Sequence, residues 1–146
     1  MLHLIKDNQD LYFSHLSEDP VRSNIPPEIR IGKNKEVFVL IEEETLSAIT
    51  CVSYLESAPS CQQELFDSSE SPRVAVFYSI WNYKPNSGSG KRLILQALDY
   101  IQKAKPEITR WVTLSPKTEL ARSFHLKNGA IIFRENEDSI NYEYYK

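Results

Sequence analysis

Apolar residues recur along the chain in two regimes, short β-branched runs and longer stretches with helical spacing. Within Gln9 to Leu16, the residues Leu11, Tyr12 and Leu16 share one helical face, and Asp19-Pro20 and Ile25-Pro26-Pro27 then break the pattern. This predicts a short helix followed by a loop. Lys35 to Ile41 is apolar and β-branched, and Leu46 to Leu55 resumes after the acidic stretch Glu42-Glu43-Glu44-Thr45, as two strands of a hairpin would. Residues 56–72 collect Ser, Pro, Asp and Glu and read as a long surface loop inside one domain, because neither flank could fold alone. Val74 to Ile80 is a continuous apolar run, suited to a central strand buried on both faces.

Beyond that strand, Leu93, Ile94, Ala97, Leu98 and Ile101 mark an amphipathic helix that Pro106 stops. Arg110 to Leu114 is the next strand, and Lys117 to Lys127 the next helix, ended by Asn128-Gly129. Ile131 to Phe133 and Ile140 to Tyr144 close the chain as strands. The predicted order is α-β-β-β-α-β-α-β-β, a single domain over residues 1–146 without repeats or low-complexity tracts.

Composition narrows the field of functions. The 146 residues are 41% hydrophobic and 25% charged, with a formal net charge of −3, the balance of a soluble globular protein. That charge excludes a broad nucleic-acid footprint, which needs a clear Lys/Arg excess. The start of the chain lacks an export signal and no apolar run is long enough to span a membrane, so a cytoplasmic location is expected. Cys51 and Cys61 are too few and too widely spaced for a disulfide framework or a zinc site, and both are expected to be reduced and structural. No metal site is expected. Exposed strand edges and an aromatic-rich end permit a homodimer without requiring one.

The candidate chemistry centres on Pro85-Asn86-Ser87-Gly88-Ser89-Gly90, which joins the buried strand to the amphipathic helix. A helix start leaves backbone N–H groups unpaired and carries partial positive charge, so a glycine-permitted turn there attracts phosphate oxygens. Lys84, Lys91 and Arg92 add positive charge on either side. A P-loop is excluded, since Pro85 stands at its first Gly and Arg92 at its Ser/Thr. A dinucleotide fingerprint is excluded too, because Leu93 stands where its last Gly belongs.

The buried strand, this turn and the later helix resemble the GNAT superfamily, whose acyl-CoA loop reads Arg/Gln-x-x-Gly-x-Gly/Ala; Pro85 departs from it at the first position. Thr118, Ala121, Phe124, His125, Lys127, Gly129 and Ala130 occupy slots of a second family pattern, with His125 where transferases place a thiolate-protonating tyrosine. A closer resemblance, over roughly residues 74–145, is to the catalytic domain of malonyl-CoA decarboxylases. It rests on Phe77-Tyr78-Ser79-Ile80, Leu93-Ile94, Thr113-Leu114-Ser115-Pro116, Ala121 to Ala130 and Asn141-Tyr142-Glu143-Tyr144, in the family's order. That family's long insertion and preceding helical domain are not expected within these 146 residues.

The resemblance implies an α/β (α+β) GNAT fold, a mixed, mostly antiparallel sheet with helices on both faces. Acyl-CoA would lie where the strand ending at Ile80 splays from the parallel strand ending at Leu114. It implies Ser115 and His125 as the catalytic pair, with Tyr78, Ser79, Ile80, Asn86, Ser87, Gly88, Ser89, Gly90, Lys91 and Arg92 as coenzyme A contacts. The substrate would be malonyl-CoA or acetyl-CoA, with no tightly bound cofactor. Malonyl-CoA decarboxylation, N-acetylation of a small-molecule or protein amine, and non-catalytic coenzyme A binding all remain open.

Chemistry assigns roles within these readings. Losing CO2 from a malonyl thioester leaves an enolate, which needs hydrogen-bond donors at its oxygen and an acid at carbon. Backbone N–H groups near Ser79 to Asn82 and the Ser115 hydroxyl could donate, and His125, with an ordinary pKa near 6.5, could transfer protons near neutral pH. Ser115 before Pro116 is equally an N-cap arrangement. A helix running straight from Pro116 would set Ser115 and His125 on the order of 13 Å apart, so a Ser–His pair needs a bend before Thr118. His3 and His15 are expected at the surface without partners, Glu42-Glu43-Glu44 in a solvated turn or facing an acceptor amine, and Tyr142, Tyr144 and Tyr145 mostly in packing.

Overall fold

The computed structural model describes residues 1–145. The strands β1 (Leu2–Ile5), β2 (Lys35–Glu42), β3 (Thr45–Leu55), β4 (Val74–Asn82), β5 (Arg110–Thr113), β6 (Ser115–Pro116), β7 (Ile131–Glu135) and β8 (Ser139–Tyr144) form one sheet. Helix α1 (Ser89–Ala104) joins β4 to β5, and α2 (Glu119–Lys127) joins β6 to β7. The order across the sheet is β1-β2-β3-β4-β5-β8-β6, with β7 on β8. All pairings are antiparallel except β4 with β5.

Strand β4 is central for the reason its composition gives. Ala75 and Phe77 face one core layer with Leu93, Ile94 and Ile101 of α1. Val74, Val76 and Tyr78 face the other, with Leu16, Ile25 and Leu65. Alternate residues of a strand point to opposite faces, so a strand apolar at every position is buried on both. The amphipathic stripe of α1 covers the first layer. Short 3-10 turns at Phe13–Glu18, Pro27–Arg30 and Gln62–Phe66 cover the second.

Two expectations for the N-terminal part are corrected. Leu2–Ile5, to which the pattern assigned no element, is an edge strand on β2; four residues are too few for periodicity to register. The segment expected to be an α-helix from Gln9 forms only the 3-10 turn Phe13–Glu18, because Asp7 and Asp10 side chains accept from the backbone N–H groups of Gln9 and Tyr12, and such local bonds compete with helix propagation. The hairpin between β2 and β3 turns at Glu43 and Glu44, with φ of 53° and 64°, the left-handed pair of a tight hairpin turn.

One buried ion pair anchors the irregular layer. Arg30 donates from Nη1 to Asp19 Oδ2 at 2.7 Å, and both side chains are fully excluded from solvent. The same guanidinium donates to the carbonyls of Ile25 and Arg22, ordering residues 19–30 against the sheet.

Candidate functional site

The parallel pairing of β4 with β5 runs only from Val74↔Arg110 to Phe77↔Thr113, plus one bond from Leu114 N–H to the Phe77 carbonyl at 3.0 Å. Two departures open the sheet there. Tyr78 is an extra residue on β4, since the register with β3 jumps from Val52↔Phe77 to Cys51↔Ser79, and such bulges bend a strand and change its aim. Past Leu114 the chain leaves β4 and pairs as β6 with β8 instead. Residues 78–82 thus run beside no parallel neighbour, leaving one strand edge for an extended ligand.

Arg22, from the irregular layer, reaches into this splay. Its Nε donates to the Tyr78 carbonyl at 2.8 Å, Nη2 to the Leu114 carbonyl at 2.7 Å, and Nη1 to Gln62 Oε1 at 3.1 Å. Sequence reasoning missed this residue. Its partners lie 56, 92 and 40 positions away, and no local pattern encodes them.

A cavity of about 190 Å³ sits at the splay, lined among others by Tyr78, Ser79, Ile80, Ser115 and His125. The structure therefore brings together the strand end and both expected catalytic residues. Ser115 is not an N-cap. It lies in β6, and Thr118 caps α2 by accepting from the Ala121 N–H, so the helix does not run from Pro116 and the chain bends where a shared site requires. Ser115 Oγ is 2.8 Å from Thr113 Oγ1, which also accepts from the Tyr142 N–H. Asn141 donates to the Thr113 carbonyl at 2.7 Å. This buried network fixes the loop that carries Ser115. No hydrogen bond joins Ser115 to His125 among the described residues.

His125 is 3% exposed, and its Nδ1 lies 2.7 Å from the Tyr144 hydroxyl. Its ring also stacks on Tyr142, with centroids 4.9 Å apart. Burial pushes its pKa down from 6.5 to about 4, because an apolar surrounding disfavours the charged imidazolium. The expectation of an ordinary histidine is thus corrected: His125 is neutral at pH 7. The tautomer follows from the hydrogen-bond inventory. If Nδ1–H donated to Tyr144, the buried phenol proton would have no acceptor among the described residues; if Tyr144 donates to Nδ1, the phenol is satisfied and the ring proton sits on Nε2, left for a ligand. His125, which lines the cavity, then carries its one N–H on Nε2.

The glycine-rich turn has the expected form. Gly88 has φ of 80° and Asn86 of 61°, and α1 begins directly afterwards, presenting first-turn N–H groups that no intrahelical carbonyl can satisfy. Gly90 is needed for close approach, since a Cβ there would meet Phe124 Cε1 of α2 at 3.1 Å. Lys91 stays exposed. Arg92 is engaged differently from the expectation: its guanidinium grips the Glu42 carboxylate at 2.7 and 2.9 Å and donates to the Ser87 carbonyl at 2.8 Å. Arg92 therefore braces the turn against the β2–β3 hairpin. Its hydrogen bonds hold the Glu42 carboxyl down to about 2.

The remaining candidates separate from the cavity. His3 and His15 have partners after all, Asp10 and Glu18, each at 2.7 Å. Cys51 is buried, its thiol pushed up to about 11 by burial, whereas Cys61 is exposed and so not a core residue. Among the described residues there is no cluster of metal ligands and no helix long and apolar enough to cross a membrane.

Known structures share this fold. The fold is similar to that of malonyl-CoA decarboxylase from Rhodopseudomonas palustris, with 16% identity, TM-score 0.78, and 99% of this chain and 59% of that one covered. It is also similar to a Desulfovibrio desulfuricans protein assigned to the GNAT acetyltransferases (13%, 0.63, 99% and 98%). A third likeness is the Campylobacter jejuni N-acetyltransferase PseH solved with acetyl coenzyme A (11%, 0.54, 79% and 70%). The chain has a GNAT-like fold similar to that of malonyl-CoA decarboxylases, and spans 35% to 60% of the length of those it matches. No family model matches the sequence, and no curated protein is significantly similar to it.

Proposed function

We propose that this chain binds an acyl-coenzyme A and decarboxylates a malonyl thioester, giving acetyl-CoA and CO2. The observation that carries this reading is the character of the cavity: an uncharged, mostly apolar chamber in which the polar side-chain groups include Ser79, Ser115 and a neutral His125. Among the described residues no Asp or Glu lines it. Amine acetylation needs a base for the incoming ammonium. Decarboxylation needs none, and an apolar lining favours a reaction that disperses a carboxylate's charge.

In this reading the turn from Asn86 to Lys91 takes the pyrophosphate on backbone N–H groups, with Arg92 as a brace. The edge of β4 at Ser79 and Ile80, past the Tyr78 carbonyl held by Arg22, pairs with the pantetheine amides. The Nε2–H of His125 donates to the thioester oxygen, and the Ser115 hydroxyl joins it by turning away from Thr113 Oγ1, whose own hydroxyl proton then goes to Ser115. The bond between the carboxylate and the α-carbon breaks, and its electron pair becomes the enolate held by those donors. A proton, from Nε2–H or from water, then adds to carbon, and His125 regains its own from solvent. The buried Ser79 hydroxyl, which has no partner among the described residues, is free to bond the bound thioester.

Incubation with malonyl-CoA, and separately with acetyl-CoA plus an amine panel, tests the reading. Acetyl-CoA and CO2 from the first are expected. Acetylated amine with free coenzyme A from the second would favour N-acetyltransfer, the activity carried by the likeness to acetyltransferases, and tight binding without turnover would favour a binding module.

A further inference from the structure

Leu114 borders two chambers. One is the cavity just described; the other, of about 450 Å³, is lined among others by Arg22, Cys61, Gln62, Glu137 and Asp138. Val21 lines the first and Arg22 the second, so the chain passes from one to the other within a single residue step. Between them lies the gap where β4 and β5 part. In a continuing parallel ladder, a strand residue that donates to one neighbour accepts from the residue two further on. Leu114 donates to Phe77, and its carbonyl would next accept from Ser79. Arg22 takes that carbonyl instead, together with the carbonyl of the bulge residue Tyr78. The guanidinium thus fills the missing rung. Gln62 holds its third edge at 3.1 Å, and the Arg22 carbonyl is itself fixed by the buried Arg30.

We infer that Arg22 is a partition: it seals the splay on the side away from the coenzyme, so that no water or amine from the acid-lined chamber reaches the thioester, and thereby restricts the site to chemistry without a second substrate. Its planar fork suits this role, since it donates in fixed directions to both strands at once. Lysine offers its donors from a single point and lacks that fixed fork. The inference rests on the acyl-CoA reading. It makes Arg22 a specificity-determining residue outside the reacting atoms.

The reaction held back is thioester hydrolysis: water adds through oxygen to the carbonyl, the C–S bond breaks, and a proton passes to sulfur, giving acetate and free thiol. The test is release of free thiol from acetyl-CoA by wild type, R22A and R22K, with coenzyme A affinity measured in parallel by calorimetry. Acetyl-CoA carries no group to lose as CO2, so the readout does not depend on decarboxylation. The wild type should bind coenzyme A and release little thiol, and R22A should release about tenfold more at similar affinity, as opening a site to water does. Should R22A fail to melt cooperatively, R22K is read the same way. Unchanged thiol release by a folded variant that binds coenzyme A would overturn the partition alone. A raised KM for malonyl-CoA with flat hydrolysis would also overturn it, making Arg22 an anchor for the substrate carboxylate. Absence of coenzyme A binding by the wild type would overturn the acyl-CoA reading and the partition with it.

Discussion

The hydroxyl of Tyr144 lies 2.7 Å from Nδ1 of His125, and a phenol that donates there leaves the ring proton on Nε2. Tyr144→Phe removes the hydroxyl while keeping the ring. The imidazole can then adopt either tautomer, and a buried Nδ1 loses its partner, at about 1–3 kcal/mol. Turnover should fall by about ten- to a hundredfold, with coenzyme A affinity unchanged. Steady-state kinetics beside calorimetry checks both.

Burial of His125 makes stability depend on pH in a definite direction. The folded pKa of about 4 lies below the ordinary 6.5, so between these values the unfolded chain binds more protons than the folded one. Stability then rises with pH through that window and is lost as pH falls from about 6.5 toward 4, by on the order of 3 kcal/mol. Denaturant titrations at pH 7.5, 6 and 5 should show the loss, and His125→Gln should flatten this component. The wild-type rate profile should show no inflection near pH 6.5.

Gly90 and Phe124 form the seam between the start of α1 and the body of α2. Gly90→Ala places a Cβ 3.1 Å from Phe124 Cε1, and the ring must move. Overpacking of this kind costs about 1–3 kcal/mol. KM for the acyl-CoA should rise and Tm should fall together. Combining the change with Phe124→Leu should restore part of the Tm.

Much of this architecture was legible in the sequence. The continuous apolar run of β4, the stripe on α1 and the glycine turn between them act locally, and each side chain reports its own environment. The resemblance located Ser115 and His125, and the structure sets both in one cavity. The protonation state of His125 was not legible, because its burial depends on Tyr142 and Tyr144, 17 and 19 positions later in the chain. Thr118 rather than Ser115 caps α2 because Ser115-Pro116 is drawn into pairing with Ile140 and Ser139, a tertiary demand that overrides a local capping signal. Arg22 and the Arg92–Glu42 brace join segments far apart in sequence, and a lone arginine in a loop carries no mark of its partners.

The layer that supports Arg22 depends on a buried charge pair. Arg30→Leu leaves the Asp19 carboxylate without its guanidinium in a site that excludes solvent, a loss of about 3–5 kcal/mol. Removing both charges in a paired Arg30→Leu, Asp19→Leu variant should cost less than Arg30→Leu alone. Denaturant midpoints of the single and double variants check this.

The most direct test of the central claim is CO2 released from malonyl-CoA labelled in its free carboxylate, measured for wild type and His125→Ala at matched coenzyme A occupancy. The account predicts label in CO2 and stoichiometric acetyl-CoA from the wild type, with a loss of about a hundredfold or more in the variant. No labelled CO2 from a wild type that binds coenzyme A, or equal release by both proteins, would contradict it.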